Sequence, residues 1–270
     1  MEYYLSTISD VDFEVCNETE KIIYKERTAK IAKQYQMGLE LAEFCISDNL
    51  EEKYCEVLPH FEYNRNSVDA VVLHAPYNEL YPHAIDKAAS ELAYRRYQQI
   101  WEICKKYQIP KIIIHGNYVP SLYFPEWFKA RNIEFWKRFL SEQKENITVC
   151  IENVMEPTPD LITDIIKVVD SSRLRMCLDV GHANLTDIKP EIWLRECAEC
   201  ISHYHIHNNY GPGGYGKASQ ADLHLGLGKG IIDMKAMLML AEELTPSATA
   251  SVESYETEES AAWLKGNGFI

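Results

Sequence analysis

The sequence predicts an α/β fold, a single (β/α)8 TIM barrel that residues 1–270 form as one domain. Three observations lead to this prediction. Short apolar segments alternate with longer amphipathic ones eight times along the chain. Several short segments are apolar almost throughout, as are the strands of a parallel sheet covered on both faces. The length of 270 residues also suits one such barrel, which usually needs about 250 residues.

The short segments rich in Val, Ile and Leu are the predicted strands. The clearest are Ala70–His74, Lys111–His115 and Thr148–Glu152, each with an apolar centre and a polar last residue. The stretches between them are long enough to carry the chain back to the start of the next parallel strand. The predicted strands are Tyr3–Ser9, Gly38–Phe44, Ala70–His74, Lys111–His115, Thr148–Glu152, Arg175–Asp179, His203–His207 and Thr249–Glu253.

The intervening stretches have the apolar spacing of helices. Between residues 84 and 107, apolar side chains recur three or four positions apart and share one helical face. Pro125 followed by Glu126 is typical of a first helical turn. The predicted helices cover 18–35, 50–60, 84–107, 125–143, 158–169, 189–200, 232–244 and 256–265. Eight strands alternating with eight helices fit a closed barrel better than an open doubly wound sheet.

Composition indicates a globular cytoplasmic protein. Hydrophobic residues make up 46% of the chain and charged residues 25%, and no apolar run approaches the roughly 18 residues of a membrane span. The N-terminus lacks the basic region of a signal peptide, and the eight cysteines are scattered. Cys197 and Cys200 form a single CxxC, which we interpret as two thiols of one helix. The net charge of −14 disfavours nucleic acid as a partner, because phosphate backbones are bound by Lys and Arg.

Polar residues stand where six consecutive predicted strands end. The carboxyl ends of barrel strands meet at one mouth, where enzymes of this fold place their active sites. Charged groups packed closely there repel one another unless a cation neutralises them, and a divalent ion bound by carboxylate and imidazole resolves the conflict. The six residues are His74, His115, Glu152, Asp179, His205 and Glu253.

Two further segments add candidates. Asp222 and His224 are two positions apart, so an extended backbone directs both side chains to one face. Gly211–Gly216 suits a mobile flap over the mouth, with Tyr210 or Tyr215 closing on a substrate, or an ordinary flexible loop. The segment is not the strand-to-helix GxGxxG fingerprint that binds phosphate, so we assign it no nucleotide role, and Walker and GxSxG motifs do not occur.

These motifs together resemble the xylose isomerase-like barrel superfamily, which holds sugar-phosphate isomerases and epimerases and, as a relative, endonuclease IV. The resemblance runs from His74 to Glu253. Its most specific parts are Cys-Leu-Asp179-Val-Gly-His182-Ala-Asn, His205-Ile-His-Asn-Asn-Tyr-Gly and Asp222-Leu-His224-Leu-Gly-Leu-Gly.

In the isomerase and epimerase branch, the resemblance implies that one divalent ion, often Mn²⁺, is bound by Glu152, Asp179, His205 and Glu253. Zn²⁺, Mg²⁺ and Co²⁺ are further candidates. Glu152 and Glu253 would also act as the acid/base pair on a small sugar or sugar phosphate, and His182 would be the third catalytic residue, hydrogen-bonding a substrate oxygen. The expected substrate-binding residues are His74, His115, His182, Asn208 and Lys217. Ketose 3-epimerases carry an arginine after the residue that corresponds to His205, and Lys217 would take its place here.

Two alternatives stay open. Endonuclease IV binds a larger zinc cluster, and each ligand it needs has a counterpart here. His74, His115 and Glu152 would hold one ion, the four epimerase-type ligands a second, and His182, Asp222 and His224 a third. The other alternative is a dehydratase on the same fold with the same metal chemistry. The sequence leaves open whether the chain forms a homo-oligomer.

Overall fold

Eight parallel strands close a barrel in the computed structural model, which describes residues 1–16, 19–24, 26–212 and 222–270. Two more strands form a separate antiparallel pair. In chain order the strands are β1 Glu2–Ser6, β2 Val11–Cys16, β3 Thr19–Tyr24, β4 Gly38–Leu41, β5 Val71–His74, β6 Lys111–His115, β7 Thr148–Glu152, β8 Leu174–Asp179, β9 Ile201–Ile206 and β10 Thr249–Val252.

The barrel follows sequence order and closes where β1 pairs with both β10 and β4. Leu5 of β1 is the register partner of Val252 on one side and of Leu39 on the other. These eight strands are the eight predicted from the sequence, so both the strand assignment and the closure are confirmed. Each crossover therefore returns the chain to the same end, and all carboxyl ends open on one mouth.

The crossovers are mostly helical. Asp86 caps the amino end of the helix that follows β5 by accepting a hydrogen bond from the Ala88 amide, and Pro125 opens the helix after β6. The helices are α1 Arg27–Tyr35, α2 Tyr54–Arg65, α3 Lys87–Tyr107, α4 Pro125–Glu142, α5 Asp160–Val169, α6 Val180–Ala183, α7 Pro190–Cys197, α8 Met234–Leu244 and α9 Thr257–Gly266. Among the described residues, no helix has both the length and the apolar character that crossing a membrane requires.

The predicted helix 18–35 is wrong in its first half. Val11–Cys16 and Thr19–Tyr24 pair as antiparallel strands, and α1 begins only at Arg27. The segment ahead of the predicted helix explains the difference, because Val11-Asp-Phe-Glu-Val15 alternates apolar and polar residues with the period of two that strands require, and Thr19–Tyr24 pairs with it. A short helix, α6, was also not predicted.

The barrel interior changes character along its axis. Alternate strand residues point inward, and a small apolar group of Val72, Ile113, Cys150 and Cys177 fills one level together with Tyr4. The main apolar core lies instead between the strands and the helices, where Trp101, Trp136 and Trp193 are fully buried. Toward the mouth the inward-facing side chains are carboxylates and imidazoles, and they form the site described next.

Candidate metal centre

The six residues predicted from strand ends come together at the mouth of the barrel. His74, His115, Glu152 and Asp179 are the last residues of β5 to β8, His205 lies within β9, and Glu253 follows β10. All but His115 are buried, and Glu152, Asp179 and His205 are at most 1% exposed. Burial of this kind is rare for carboxylates that lack a partner.

The tightest group surrounds the Nδ1 atom of His205. Glu152 Oε1 lies 3.2 Å from it, Glu253 Oε2 3.4 Å and Asp179 Oδ2 3.9 Å. Together the four residues offer three oxygen atoms and one nitrogen, all within 4.8 Å of one another. Such a mixed set suits a hard or borderline divalent cation such as Mn²⁺ or Zn²⁺.

Unpaired polar atoms point into this group. Both carboxylate oxygens of Glu152, Oδ2 of Asp179 and Nδ1 of His205 are buried and accept or donate no hydrogen bond within the described part of the chain. Leaving a buried polar atom unpaired costs about 1–3 kcal/mol, and more when the atom is charged. One cation would satisfy Glu152 Oε1, Asp179 Oδ2 and His205 Nδ1, so the residues present fit a divalent metal.

A second group extends the site toward β5 and β6. The Nε2 atoms of His74 and His115 each lie 3.5 Å from Glu152 Oε2. His74 Nδ1 donates to the Ala75 carbonyl at 2.8 Å, which fixes its ring with Nε2 toward the carboxylate. Tyr77 stacks on the His115 ring with 4.3 Å between the centroids.

A third group contains a histidine that the sequence analysis missed. Asp222 Oδ2 lies 3.2 Å from His182 Nε2 and 3.3 Å from His224 Nε2, as the predicted pairing requires. His207 joins them, because its ring stacks on that of His224 at 3.8 Å and its Nε2 lies 3.2 Å from Asp179 Oδ1. Neither ring nitrogen of His207 has a hydrogen bond among the described residues. The signal was the alternation of His203, His205 and His207, which directs all three side chains into the barrel.

Two predicted substrate-binding residues do not join the site. Asn208 is 1% exposed, and its side chain anchors the loop after β9 by donating to the Leu227 and Ile232 carbonyls and accepting from the Ile232 amide. Asn208 is the residue after the inward-facing His207, so its side chain turns away from the barrel axis and into the loop. Lys217 lies outside the described residues, as does most of the predicted flap.

The two glutamates are placed in different electrostatic surroundings. Burial by itself would raise the pKa of both. At Glu152, His205 and His115 outweigh burial and hold the pKa well below its usual range. At Glu253, burial prevails over His205, and the nearby carboxylates of Glu40 and Glu152 also raise the pKa.

A cavity of about 240 Å³ opens above these residues. Its wall includes Tyr77 and Tyr255 together with the catalytic candidates Glu152, His182 and Glu253. A larger cavity lies outside the barrel against α3 and contains none of the clustered residues. We therefore take the mouth cavity as the candidate substrate pocket.

A buried carboxylate next to the pocket fixes two loops. Glu156, which is 1% exposed, accepts hydrogen bonds from the amides of Val154 and Met155 in its own loop and of Tyr118 in the loop after β6. These bonds hold the segments that follow His115 and Glu152 against each other.

Comparison with known proteins assigns this chain to a family. The family model described as xylose isomerase-like TIM barrel matches residues 36–267. The chain belongs to this family. The site described above therefore lies at the mouth of a xylose isomerase-like barrel.

Individual relatives are distant. An uncharacterized protein of Methanocaldococcus jannaschii, MJ1311, is 24% identical over 208 residues, which are 68% of this chain and 64% of that protein. A crystal structure of a D-tagatose 3-epimerase-like protein has a TM-score of 0.76 at 21% identity, with 100% of this chain and 98% of the other covered. The TTHB071 protein of Thermus thermophilus, whose crystal was soaked with ZnCl2, has a TM-score of 0.72 at 20% identity and the same coverage. At these identities the two structures show a shared fold.

Proposed function

We propose that this xylose isomerase-like protein is a divalent-metal-dependent isomerase or epimerase of a small sugar. The observation that carries the proposal is the set of unpaired, buried atoms of Glu152, Asp179 and His205 that converge beside Glu253. A divalent ion bound by these four residues would polarise the carbonyl of the substrate and stabilise the enediolate that forms when a proton leaves the adjacent carbon.

The two glutamates are placed to move that proton. In the barrel, β8 and β9 separate β7, which carries Glu152, from β10, which precedes Glu253, so the carboxylates approach the pocket from different sides. Glu152 is held ionised and is suited to accept a proton, whereas the raised pKa of Glu253 suits it to hold and return one. His182 lines the same cavity and would hydrogen-bond a substrate oxygen.

The lining of the cavity favours an uncharged sugar over a sugar phosphate. Within the described residues it includes Glu152, Asp222 and Glu253 but neither Lys nor Arg. A phosphate group would therefore lack, among the described residues, the guanidinium or ammonium partners that usually bind it. Tyr77 and Tyr255 line the cavity and offer apolar contact to a sugar instead.

The test is turnover of free ketoses and aldoses, each paired with its phosphate ester, in D2O. An isomerase or epimerase should exchange the reacting C–H for deuterium, and Glu152→Gln and Glu253→Gln should each reduce turnover at least about 100-fold, as the loss of a general acid or base does. Full activity in both variants would contradict the assigned roles. Loss of water from the substrate would instead indicate the dehydratase.

An endonuclease IV-like phosphodiesterase is the second candidate, because all the residues its three zinc ions would need lie in three adjoining groups. The absence of Lys and Arg from the described lining of the cavity and the net charge of −14 weigh against binding a nucleic-acid backbone. Incubation with an abasic-site duplex decides the matter, since this candidate requires strand cleavage and the isomerase proposal requires an intact duplex.

A further inference from the structure

Glu40, a buried carboxylate beneath the metal centre, is not among the residues that the sequence analysis selected. It lies in β4 and is 0% exposed. His205 Nε2 donates to its carboxylate, with 3.0 Å to Oε1 and 3.2 Å to Oε2. The opposite ring nitrogen, Nδ1, is the atom that faces Glu152 and Glu253. Glu40 therefore contacts the side of the imidazole that points away from the centre.

Glu40 is itself held by a chain of hydrogen bonds that crosses the barrel. His203 Nε2 lies 3.1 Å from Glu40 Oε2, and His203 Nδ1 lies 2.5 Å from the Thr249 hydroxyl. Lys111, at the start of β6, donates from Nζ to the same hydroxyl at 2.6 Å. Ser251 lies 2.9 Å from His203 Nε2 and adds a further contact to this ring.

Donor and acceptor chemistry gives the chain one direction. The ionised Glu40 carboxylate can only accept, so His203 donates to it from Nε2. In a neutral ring Nδ1 then accepts from the Thr249 hydroxyl, whose oxygen accepts from the Lys111 ammonium. An ionised carboxylate only accepts, so the two oxygens of Glu40 receive one hydrogen from His203 and one from His205.

We propose that Glu40 is a positioning residue that fixes the His205 ring with the proton on Nε2, so that Nδ1 is available to bind the cation. The inference rests on the metal centre of the proposed function but not on the reaction or its substrate. A carboxylate behind a metal-binding histidine orients the ring and raises its basicity, and removing such a partner typically lowers metal affinity 10–100-fold.

The experiment measures metal affinity without turnover. Competition with a chromophoric chelator gives the Kd of Zn²⁺ and Mn²⁺ for the wild type, for Glu40→Gln and for Glu43→Gln. Glu43 is the matched control, because it is also a buried glutamate of this segment but accepts its hydrogen bond from Asn64 of α2. We expect a Kd about 10–100-fold higher for Glu40→Gln and within about twofold of wild type for Glu43→Gln.

Equal affinities of Glu40→Gln and wild type would overturn the proposal, as would equal weakening in both variants. Glu253→Gln separates positioning from ligation, since losing a direct ligand should weaken binding more than losing Glu40 does. A loss at Glu40 as large as that at Glu253 would make Glu40 a ligand and overturn its role as a positioning residue.

If Glu40→Gln does not fold, a measurement on the wild type still tests the proposal. Long-range ¹H–¹⁵N NMR of the histidine rings reports which nitrogen of His205 carries the proton. We expect Nε2 to carry a proton in both metal-free and Zn²⁺-loaded protein, and a ring with its proton on Nδ1 alone would overturn the proposal. If the wild type binds no metal, the proposed function fails, while the metal-free spectrum still tests the bond between His205 and Glu40.

Discussion

Gly181 is the position where one added methyl group should most clearly disturb the site. It lies in α6 against His207, and a Cβ atom built there would stand 2.0 Å from His207 Cε1 and 2.4 Å from Nε2. The ring cannot retreat easily, because it is 0% exposed and its centroid lies 3.8 Å from that of His224. Overpacking of this kind costs about 1–3 kcal/mol. For a chain of this size that corresponds to a fall in Tm of roughly 2–12 °C in Gly181→Ala.

Differential scanning calorimetry of the metal-free protein measures the effect. Gly266→Ala is the matched control, since a Cβ atom at the end of α9 would have no heavy atom within 4 Å. We expect the control to melt at the wild-type temperature or slightly above it, because Ala favours helix over Gly. A Tm of Gly181→Ala equal to that of wild type would refute the reasoning. It would mean that His207 does not occupy the space against Gly181.

Three other predictions concern pH, a loop and metal removal. Burial lowers the pKa of His83 to about 4, so the unfolded chain binds a proton more readily and acid favours unfolding. Between pH 6.5 and pH 4 the unfolding free energy of the wild type should therefore fall by about 3 kcal/mol more than that of His83→Phe. Urea unfolding at both pH values measures the two free energies. An equal loss in the wild type and in His83→Phe would contradict this prediction. Glu156→Gln, which sets an amide group against three backbone N–H donors, should lower the unfolding free energy by about 1–3 kcal/mol, and an unchanged urea midpoint would count against it. Adding Zn²⁺ or Mn²⁺ at about 100 times its Kd should stabilise the metal-free protein by about 2.7 kcal/mol and raise its Tm, and EDTA should reverse that rise. No change in Tm in either step would argue against a metal bound by the folded state.

The barrel could be predicted from the sequence because its signal is repeated. Each strand is a short apolar segment with a polar end, and the eightfold alternation with helices constrains the topology even where single boundaries shift. The pair β2 and β3 was missed because it interrupts that alternation only once. Thr19–Tyr24 was assigned to the predicted helix that leads into α1, and Val11–Cys16 was assigned to no element.

The candidate site was predictable where strand ends carry polar residues, since barrel closure brings those ends together. Glu40 was not, because it lies inside the apolar segment Gly-Leu-Glu-Leu and its contact with His205 joins residues 165 positions apart. The position of the Asn208 side chain was also not predictable. The backbone alternation that directs His207 inward turns Asn208 into the loop.

The most direct test of the metal centre is the metal content per chain, measured by elemental mass spectrometry on protein purified without chelators. We expect about one equivalent of Mn, Zn, Co or Mg in the wild type and a clear loss in Glu253→Gln, because the variant lacks one of the four proposed ligands. Two to three zinc ions per chain would favour the endonuclease IV-like alternative. A wild-type protein that retains no divalent metal after loading would contradict the proposal that Glu152, Asp179, His205 and Glu253 form a metal centre.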